Sequence, residues 1–293
     1  LLGRLGYSAR ALDLHQQLID RVRGARGPDH PQTIRFESWA QSTALAERGP
    51  RAVIPAIEEL ASRARRALPP EHPDRLGVLQ QLGFAYWRAD RNDEAELLLE
   101  EVLAARRHHQ PFDLQAQTDT LLHLAECWIE AGRAEEGRPR LEEQLEACRA
   151  AVGDAAEATL RLRLCIARLL FTEDPDAATA MVADLDRYAA SIFPVAHSFR
   201  IQLRANVFKF EDARDQAAGA EVEFGLITDL IDAVGLAHPD TIGQLESFAL
   251  RSDSEHLDQV VELCLDALPQ VREQAGHGGR AHRQVLWAGS SAA

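Results

Sequence analysis

Apolar residues recur at helical spacing in pairs of segments separated by short polar breaks. One such segment carries Leu76, Leu79 and Leu82 on a single face, which is the three-and-four spacing of an amphipathic α-helix. Residues 91–93 interrupt the pattern, and a second amphipathic run begins at Glu94. The sequence therefore predicts a helix–turn–helix unit, with an asparagine or aspartate of the break as the N-cap of the second helix.

The unit returns about every 42 residues. His30-Pro31 and His72-Pro73 are 42 residues apart, and His238-Pro239 follows 166 residues after the second, two short of four further periods. A fixed period of this size indicates a stacked repeat. Because proline is favoured at the first position of a helix, we interpret each His-Pro pair as a structural anchor that restarts the chain between repeats.

Small side chains mark one phase of the predicted second helices. Steps of 42 residues give Ala11, Val53, Ala95 and Gly137, and the fifth member, Ala178, comes one residue early. A close crossing of two helices requires small residues at the contact, since a larger side chain holds the backbones apart. The phase therefore predicts which face of each second helix is packed.

Two prolines also share a phase of the second helices. Pro55 and Pro139 each lie two residues beyond the small-residue marker. Proline is tolerated in the first turn of a helix, where its missing N–H would be unpaired in any case. The second helices are therefore predicted to begin near residues 51–54 and 135–138.

These residues resemble the tetratricopeptide repeat (TPR) in its 42-residue, kinesin-light-chain-like form. The family's spacing of Leu, Leu-Gly, Tyr and a later Ala matches Leu79, Leu82-Gly83, Tyr86 and Ala95, and its Gly-x-x-His-Pro between repeats matches residues 27–31. The resemblance implies an all-α fold, a right-handed α-solenoid of about six TPR-like helix pairs plus an orphan N-terminal helix. The register between residues 190 and 215 is left unassigned.

The repeat also predicts the domain organisation. We expect a solenoid over residues 1–272 and a flexible C-terminal tail over 273–293. Because Ala11 belongs to a second helix, Leu1-Leu2 is expected to be the last turn of a helix that begins earlier, so that the natural protein continues upstream. In the tail, Leu286-Trp287 is a candidate docking motif.

Composition narrows the function classes. The net charge is −14 with no basic stripe, so nucleic acid is not expected as a direct ligand. No run approaches the roughly 20 apolar residues of a membrane span, and no signal peptide opens the chain. The four cysteines lie in apolar helical stretches without metal-binding spacing, which favours reduced thiols and a cytoplasmic location. The basic residues are almost all arginine, which suggests a high-GC bacterial source.

No catalytic or metal site is predicted. The sequence has no Gly-rich phosphate loop, nucleophile elbow or HExxH motif, and its pairs of acidic residues fall on polar helix faces. His108-His109 are adjacent, so their side chains diverge on a helix. His123 and Cys127 share a face, but we interpret them as packing residues. We expect no enzyme and no cofactor.

The family resemblance implies that first helices line the concave face and that their outward residues contact partners. The predicted partner-binding residues are Gln80, Phe84, Trp87, Arg88, Glu126, Ile129 and Glu130. At the same phases lie Gly77, Asp119, Leu122 and, upstream, Arg35, Ser38 and Ser42. Aromatic and arginine side chains dominate binding energy at interfaces, so Phe84, Trp87 and Arg88 form the leading patch. For Trp87, packing between repeats is an equal alternative.

The chain departs from the family at one feature of this face. Kinesin-light-chain-like repeats commonly carry paired asparagines before the Leu-Gly step, and the matching residues here are Gln80-Gln81 and Leu122-His123. Only Gln80 retains a side chain suited to contact a peptide backbone. The departure weakens the expectation of sequence-independent peptide clamping.

Two functions follow from this pattern. The first is a protein–protein interaction scaffold, the recognition arm of a larger bacterial regulatory or defence protein, with a protein or peptide as partner and neither nucleic acid nor membrane. The alternative is a sensor that binds a signal peptide or small metabolite in the concave groove. For the alternative, Phe193, Phe199, Phe208 and Phe210 are pocket candidates, although packing at a kinked repeat is the more common explanation for such a cluster. The sequence assigns neither a partner nor an oligomeric state.

Overall fold

The computed structural model describes residues 8–213, 216–235, 238–249, 261–266 and 269. These residues form twelve helices and a short helical stretch at 261–266, with no strand among them. The helices are α1 (Ser8–Arg26), α2 (Pro31–Arg48), α3 (Pro50–Ala67), α4 (Pro73–Trp87), α5 (Asn92–His109), α6 (Leu114–Glu130), α7 (Ala134–Val152), α8 (Glu157–Leu170), α9 (Pro175–Ala190), α10 (Ser198–Asp212), α11 (Gln216–Val234) and α12 (Pro239–Ala249). Leu1-Leu2 and the predicted tail with Leu286-Trp287 lie outside the described residues.

The chain divides into two compact units. The N-terminal unit spans Ser8–Leu169 and holds α1 to α8, apart from the last residue of α8. The second unit takes the chain from Leu170 onward and holds α9 to α12. A single solenoid domain over 1–272 stays a prediction.

Helix pairs build the N-terminal unit as the repeat predicts. Each helix from α1 to α6 packs against the next one along the chain, and the first helices of successive pairs also contact each other, α2 with α4 and α4 with α6. Ala11 lies in α1, which precedes the first complete pair. The all-α, paired-helix fold with an orphan helix at its start is therefore confirmed.

The first helices recur with a slightly variable period. They begin at residues 31, 73, 114, 157, 198 and 239, so that successive starts are 41 to 43 residues apart. This variation accounts for the two residues missing before His238. It also assigns the register that the sequence left open between 190 and 215, because α10 begins at Ser198.

Histidine caps explain the anchors. In His30, His72 and His197 the imidazole Nδ1 accepts the backbone N–H two residues further on, at 3.2, 3.1 and 3.3 Å. Each histidine has extended backbone angles and so occupies the N-cap position. The imidazole thereby satisfies one of the amides that a helix start leaves unpaired. His197 plays this role without a following proline, which is why the His-Pro search passed over it.

The caps of other helices differ from the prediction. Asp113 and Asp174 cap α6 and α9 through their carboxylates. At α5 the N-cap is Arg91, whose side chain makes no cap bond, so the predicted asparagine or aspartate cap is wrong. Asn92 is the first residue of the helix, and its amide donates to Glu130 on α6 at 3.0 Å. The Asn92 side chain therefore bonds to the next repeat and does not cap its own helix.

The small-residue phase is confirmed in the described side chains. Val53, Ala95, Gly137 and Ala178 are all buried. The predicted helix starts are one residue late, since α3 begins at residue 50 and α7 at residue 134. The two prolines therefore lie in the second turn, on the exposed side, where water can satisfy the carbonyl that each proline leaves unpaired.

A recurrent turn joins each of three second helices to the next first helix. Gly27, Gly153 and Gly235 have φ between 84° and 94°, the left-handed region that glycine adopts without strain. In each turn the hydroxyl of a buried threonine six residues later donates to the glycine carbonyl; the bond from Thr159 to Gly153 is 2.8 Å long. Gly-x5-Thr is therefore a second signature of the repeat, one that also marks the start of α8, where no histidine stands.

We expect Thr159→Val to lower the free energy of unfolding by about 1–2 kcal/mol, because a partly buried carbonyl loses its donor while the side-chain shape is kept. Urea denaturation followed by circular dichroism at 222 nm measures the change. Thr43→Val is the matched control, since that hydroxyl donates to a carbonyl within its own helix at a more exposed position. Equal losses in the two variants would contradict the role of the turn.

A groove along the first helices

The first helices of the N-terminal unit form a groove of about 840 Å³. We call it the central groove. It is lined by Arg35, Ser38, Trp39, Ser42, Pro73, Asp74, Gly77, Gln80, Gln81, Phe84, Asp119 and His123. These residues come from α2, α4 and α6, so three successive repeats contribute to one surface.

Polar side chains link α2 to α4 along one side of the groove. Arg35 makes a two-pronged contact with the Asp74 carboxylate, at 2.6 and 3.0 Å. Gln81 accepts from the Ser38 hydroxyl and donates to the Ser38 carbonyl and the Ser42 hydroxyl. The partners are 39 to 43 residues apart, so the contacts reflect the repeat period.

Aromatic and amide groups link α4 to α6 on the other side. The rings of Phe84 and His123 stack with centroids 4.7 Å apart, and Gln80 Nε2 lies 3.3 Å from His123 Nδ1. Trp39, which is 50% exposed, lies at the α2 edge with its ring against Phe36. The groove therefore combines an open aromatic surface with groups that donate and accept hydrogen bonds, the composition of many recognition sites.

Ion pairs continue the link from α6 to α8. Arg161 contacts Asp119 at 2.6 Å, and Arg168 makes a two-pronged contact with Glu126. In both pairs the arginine follows its carboxylate by 42 residues. The Glu126 carboxylate is therefore paired with Arg168 of the next repeat, and Glu126 does not line the groove.

The structure brings together two of the seven predicted partner-binding residues. Gln80 and Phe84 line the central groove, whereas Trp87, Arg88, Glu126, Ile129 and Glu130 do not. Trp87 is half-buried with its ring 5.4 Å from that of Phe84, the arrangement expected if it packs between helices. Arg88 and Glu130 are exposed at the ends of α4 and α6.

Sequence reasoning missed other groove residues. Trp39 could have been found, because it follows Arg35 by four residues and therefore lies on the same face of α2. His123 was interpreted as a packing residue of a Cys–His pair, but its ring faces Phe84 and Gln80, and Cys127 contacts only its carbonyl. Leu122, predicted to face outward, is buried.

Burial sets the protonation of groups in this region. It lowers the pKa of His123 to about 4, assisted by Arg161 and Arg106 against the opposing pull of Asp119 and Glu126. Burial also raises the pKa of the Cys127 and Cys165 thiols to about 12. The imidazole is therefore neutral and the thiols are protonated at neutral pH.

The depressed pKa of His123 makes stability depend on pH. The unfolded chain binds a proton at this ring near pH 6.5 and the folded chain only near pH 4, so the contribution is complete above pH 6.5 and is lost as the pH falls to 4. Because the ring borders the groove, we expect a loss of about 2 kcal/mol rather than the full value for a buried group. Urea denaturation between pH 7 and pH 4 should show a steeper decline for the wild type than for His123→Phe. Parallel profiles would contradict the prediction.

Two kinds of feature are absent from the described part of the chain, clusters of metal-ligating side chains and helices that could span a membrane. No group of three or more His, Cys, Asp or Glu side chains is arranged to hold a metal ion there. None of the described helices is both long and apolar enough to cross a bilayer. All four cysteines are free and buried.

Comparison with known proteins identifies the repeat. Residues 75–109, from the first turn of α4 to the end of α5, match the family model of the tetratricopeptide repeat. The α4–α5 pair is a tetratricopeptide repeat. A search of curated proteins finds no match. TPR units in general mediate protein–protein interaction.

Solved structures share the fold at low sequence identity. A kinesin-light-chain protein of Podosopora anserina with nearly identical TPR-like repeats superposes with a TM-score of 0.53 at 18% identity, covering 70% of this chain and 98% of that chain. Its Q17M variant gives 0.55 at 18%, covering 65% and 90%. BtubC (BKLC) from P. vanneervenii gives 0.56 at 16%, covering 79% and 91%. The resemblance to kinesin-light-chain-like TPR structures is therefore confirmed for the fold.

Proposed function

We propose that this TPR chain is an interaction module that binds a peptide segment of a partner protein along the central groove. The observation that carries the proposal is the groove itself, in which the half-exposed Trp39 and the ring of Phe84 flank hydrogen-bonding side chains from three helices. Exposed aromatic rings provide large contact area at low entropic cost. A groove open along successive helices suits an extended or helical segment.

The wider setting is a proposal of the same kind. We propose that the module is the recognition arm of a larger bacterial regulatory or defence protein and that it acts in the cytoplasm as a scaffold rather than as an enzyme. The arginine-rich composition and the repeat organisation support it. Gln80 and Phe84 are assigned to the partner contact, and the other five predicted residues stay predictions.

Replacement of Trp39 tests the groove. Peptides selected from a random display library against the full chain supply the ligand, and fluorescence anisotropy measures their Kd. We expect Trp39→Ala to raise Kd at least tenfold, because the loss of a tryptophan contact at an interface commonly costs about 2 kcal/mol or more. Phe112→Ala is the control, since that ring is 96% exposed in the loop between α5 and α6 and does not line the groove.

Two results would count against the proposal. One is a library that yields no specific peptide. The other is a set of peptides that bind the Trp39→Ala and Phe112→Ala variants equally well. Because Trp39 is half-exposed, its removal should leave the urea midpoint of the chain nearly unchanged, and this separates a binding defect from a folding defect.

A sensor function remains the second candidate because the volume of the groove lies within the range of small-ligand sites. The aromatic pocket once expected near α10 does not support it, since Phe199, Phe208 and Phe210 are buried and Phe193 stacks on His197. A thermal-shift screen with metabolites and short peptides distinguishes the two functions, because a tight ligand raises the melting temperature by mass action. A shift with a metabolite that Trp39→Ala abolishes would favour the sensor.

A further inference from the structure

An apolar surface lies at the α1 end of the N-terminal unit. Leu14 and Leu18 on α1 are 46% and 38% exposed, and the half-exposed Trp39 on α2 lies beside the ring of Phe36. Within this unit α1 packs against α2 alone, and α2 packs against α1, α3 and α4. No other described helix of the unit covers these side chains. We call this surface the end face.

The repeat period assigns the α2 part of the end face to helix stacking. One period of 42 residues after Phe36 and Trp39 come Val78 and Gln81 on α4. Val78 is buried, and Gln81 bonds to Ser38 of the preceding first helix. Phe36 and Trp39 thus occupy the positions through which a first helix packs on the repeat before it.

The same comparison holds for the α1 part. Two periods after Leu14 and Leu18 come Leu98 and Val102 on α5, which are 7% and 0% exposed. Both belong to a core cluster that also contains residues of α3 and α4. Positions that are buried between repeats in α5 are therefore exposed in α1, and their burial against another helix is favourable.

Two contacts define which positions of α1 and α2 lie at the same height. The helices run antiparallel because a short turn joins them. Arg23 on α1 contacts Glu37 on α2 at 2.6 Å, and the Thr33 hydroxyl on α2 donates to the Gly27 carbonyl at 2.8 Å. Each pair is centred on His30, so that residues equally far before and after His30 lie side by side.

We propose that the end face binds a second copy of this chain, so that α1 and α2 of the two copies form an antiparallel four-helix bundle. A two-fold axis parallel to the helices keeps every residue at its height and places α1 of one copy against α2 of the other. Arg21 then faces Trp39 of the second copy, and Leu18 faces Thr43, one helical turn further along. Each helix has antiparallel neighbours, as in an up-and-down four-helix bundle.

The facing side chains are complementary. Arg21 follows Leu18 by three residues on the same face of α1, is exposed, and makes no ion pair with the described residues. A guanidinium that lies over an indole ring is attracted by the ring electrons, so Arg21 suits Trp39 as a partner. Leu18 packs on the methyl group of Thr43. The interface thus contains apolar and cation–π contacts without a buried unpaired carboxylate.

The size and charge of the end face also fit a second copy. Helices of 19 and 18 residues are about 27 Å long and about 10 Å wide. They offer roughly 500 Å² per copy, and a total of about 1,000 Å² is at the lower limit of a specific interface. The two helices carry six arginines and four carboxylates, whereas the chain as a whole has a net charge of −14. Repulsion between two acidic chains is therefore smallest at this end.

Cysteine cross-linking tests the arrangement of the helices. The full chain with Leu18→Cys is mixed with a differently tagged chain that carries Thr43→Cys, in the presence of oxidised glutathione. We expect the mixed disulfide dimer as the main product, because the two positions face each other. A mixture of Leu97→Cys with Thr43→Cys is the matched control, since Leu97 is 77% exposed on α5, outside the end face. The four native cysteines are buried. Leu18→Cys chains that link only to each other, or a mixed dimer no more abundant than in the control, would overturn the arrangement.

Sedimentation velocity over the micromolar range tests the dimer itself. We expect a monomer–dimer equilibrium for the full chain. Leu18→Glu should raise the dimer Kd at least tenfold, because it buries an unpaired carboxylate in the interface, whereas Leu97→Glu should change it less than twofold. A chain that stays monomeric throughout, or a dimer that Leu18→Glu does not weaken, overturns the second copy as the occupant and leaves the end face to a helix of different sequence.

This inference goes beyond the proposed groove function, and the two can fail separately. Leu18 and Leu97 do not line the central groove, so both glutamate variants should change the Kd of a selected peptide less than twofold. Loss of the dimer with peptide binding intact leaves the groove function standing. Trp39 is unsuitable for this test because it borders both surfaces.

Discussion

Gly137→Ala should lower the free energy of unfolding by about 2–3 kcal/mol, although alanine is the better helix former by about 1 kcal/mol. A Cβ at this position of α7 would overlap Trp128 Cε3 and would lie 2.9 Å from its Cζ3. The indole is 1% exposed, its N–H donates to Glu96 at 3.2 Å, and the Arg140 guanidinium lies over the ring at 4.9 Å. Since the ring is held on both sides, the backbone of α7 must move, and such overpacking is destabilising.

Gly77→Ala is the control for this substitution. An added Cβ at Gly77 on α4 would have no atom within 4 Å, so the helix propensity of alanine should leave the stability unchanged or slightly raised. Urea denaturation followed by circular dichroism compares the two variants. In a double variant with Trp128→Leu the two costs should not add, because the clash disappears with the ring. Equal stability of Gly77→Ala and Gly137→Ala would show that the α6–α7 contact is looser than the structure has it.

Phe199→Ala should cost about 3–5 kcal/mol, the range for loss of a buried aromatic side chain. The ring is 1% exposed in the second unit and meets Phe193 edge-on at a centroid distance of 6.2 Å. The result tests the register of α10, the segment that could not be assigned from the sequence. If α10 were rotated by half a turn, Phe199 would face solvent and its loss would change little.

Phe112→Ala controls for the loss of a phenyl ring. Its side chain is 96% exposed, so the free energy of unfolding should change by less than about 0.5 kcal/mol. Both variants can be followed by urea denaturation at 222 nm. A loss below 1 kcal/mol for Phe199→Ala would contradict the assignment of α10 to the core of the second unit.

The fold could be predicted because several repeats carry the same sequence pattern. The spacing of His30 and His72 and that of the small residues from Val53 to Gly137 indicate the same period. The small residues also predict the packed face of each second helix. The search failed where one repeat lacked its marker. His197 caps α10 but no proline follows it, and α8 is preceded only by the Gly153–Thr159 turn. A search for the His-Pro dipeptide alone therefore does not find these two repeats.

The groove could be predicted only in part, because its members are selected by contacts between repeats. Phe84 and Glu126 occupy the same phase one period apart, yet the first lines the groove and the second is held by Arg168. That pairing depends on a residue 42 positions later and on how the helices stack. Arg106 could not be predicted from the groove pattern, since it belongs to a second helix and contacts the groove through Gln80.

The links between successive first helices have a mechanical consequence. Arg35 with Asp74, Gln80 with His123 and Arg161 with Asp119 each join one repeat to its neighbour, so a local distortion passes along the N-terminal unit only stepwise. A ligand that lies across α2, α4 and α6 would clamp three repeats at once. Occupancy of the groove should therefore stiffen a length of chain that is otherwise coupled one neighbour at a time, and the length of the ligand would set how many repeats open and close together.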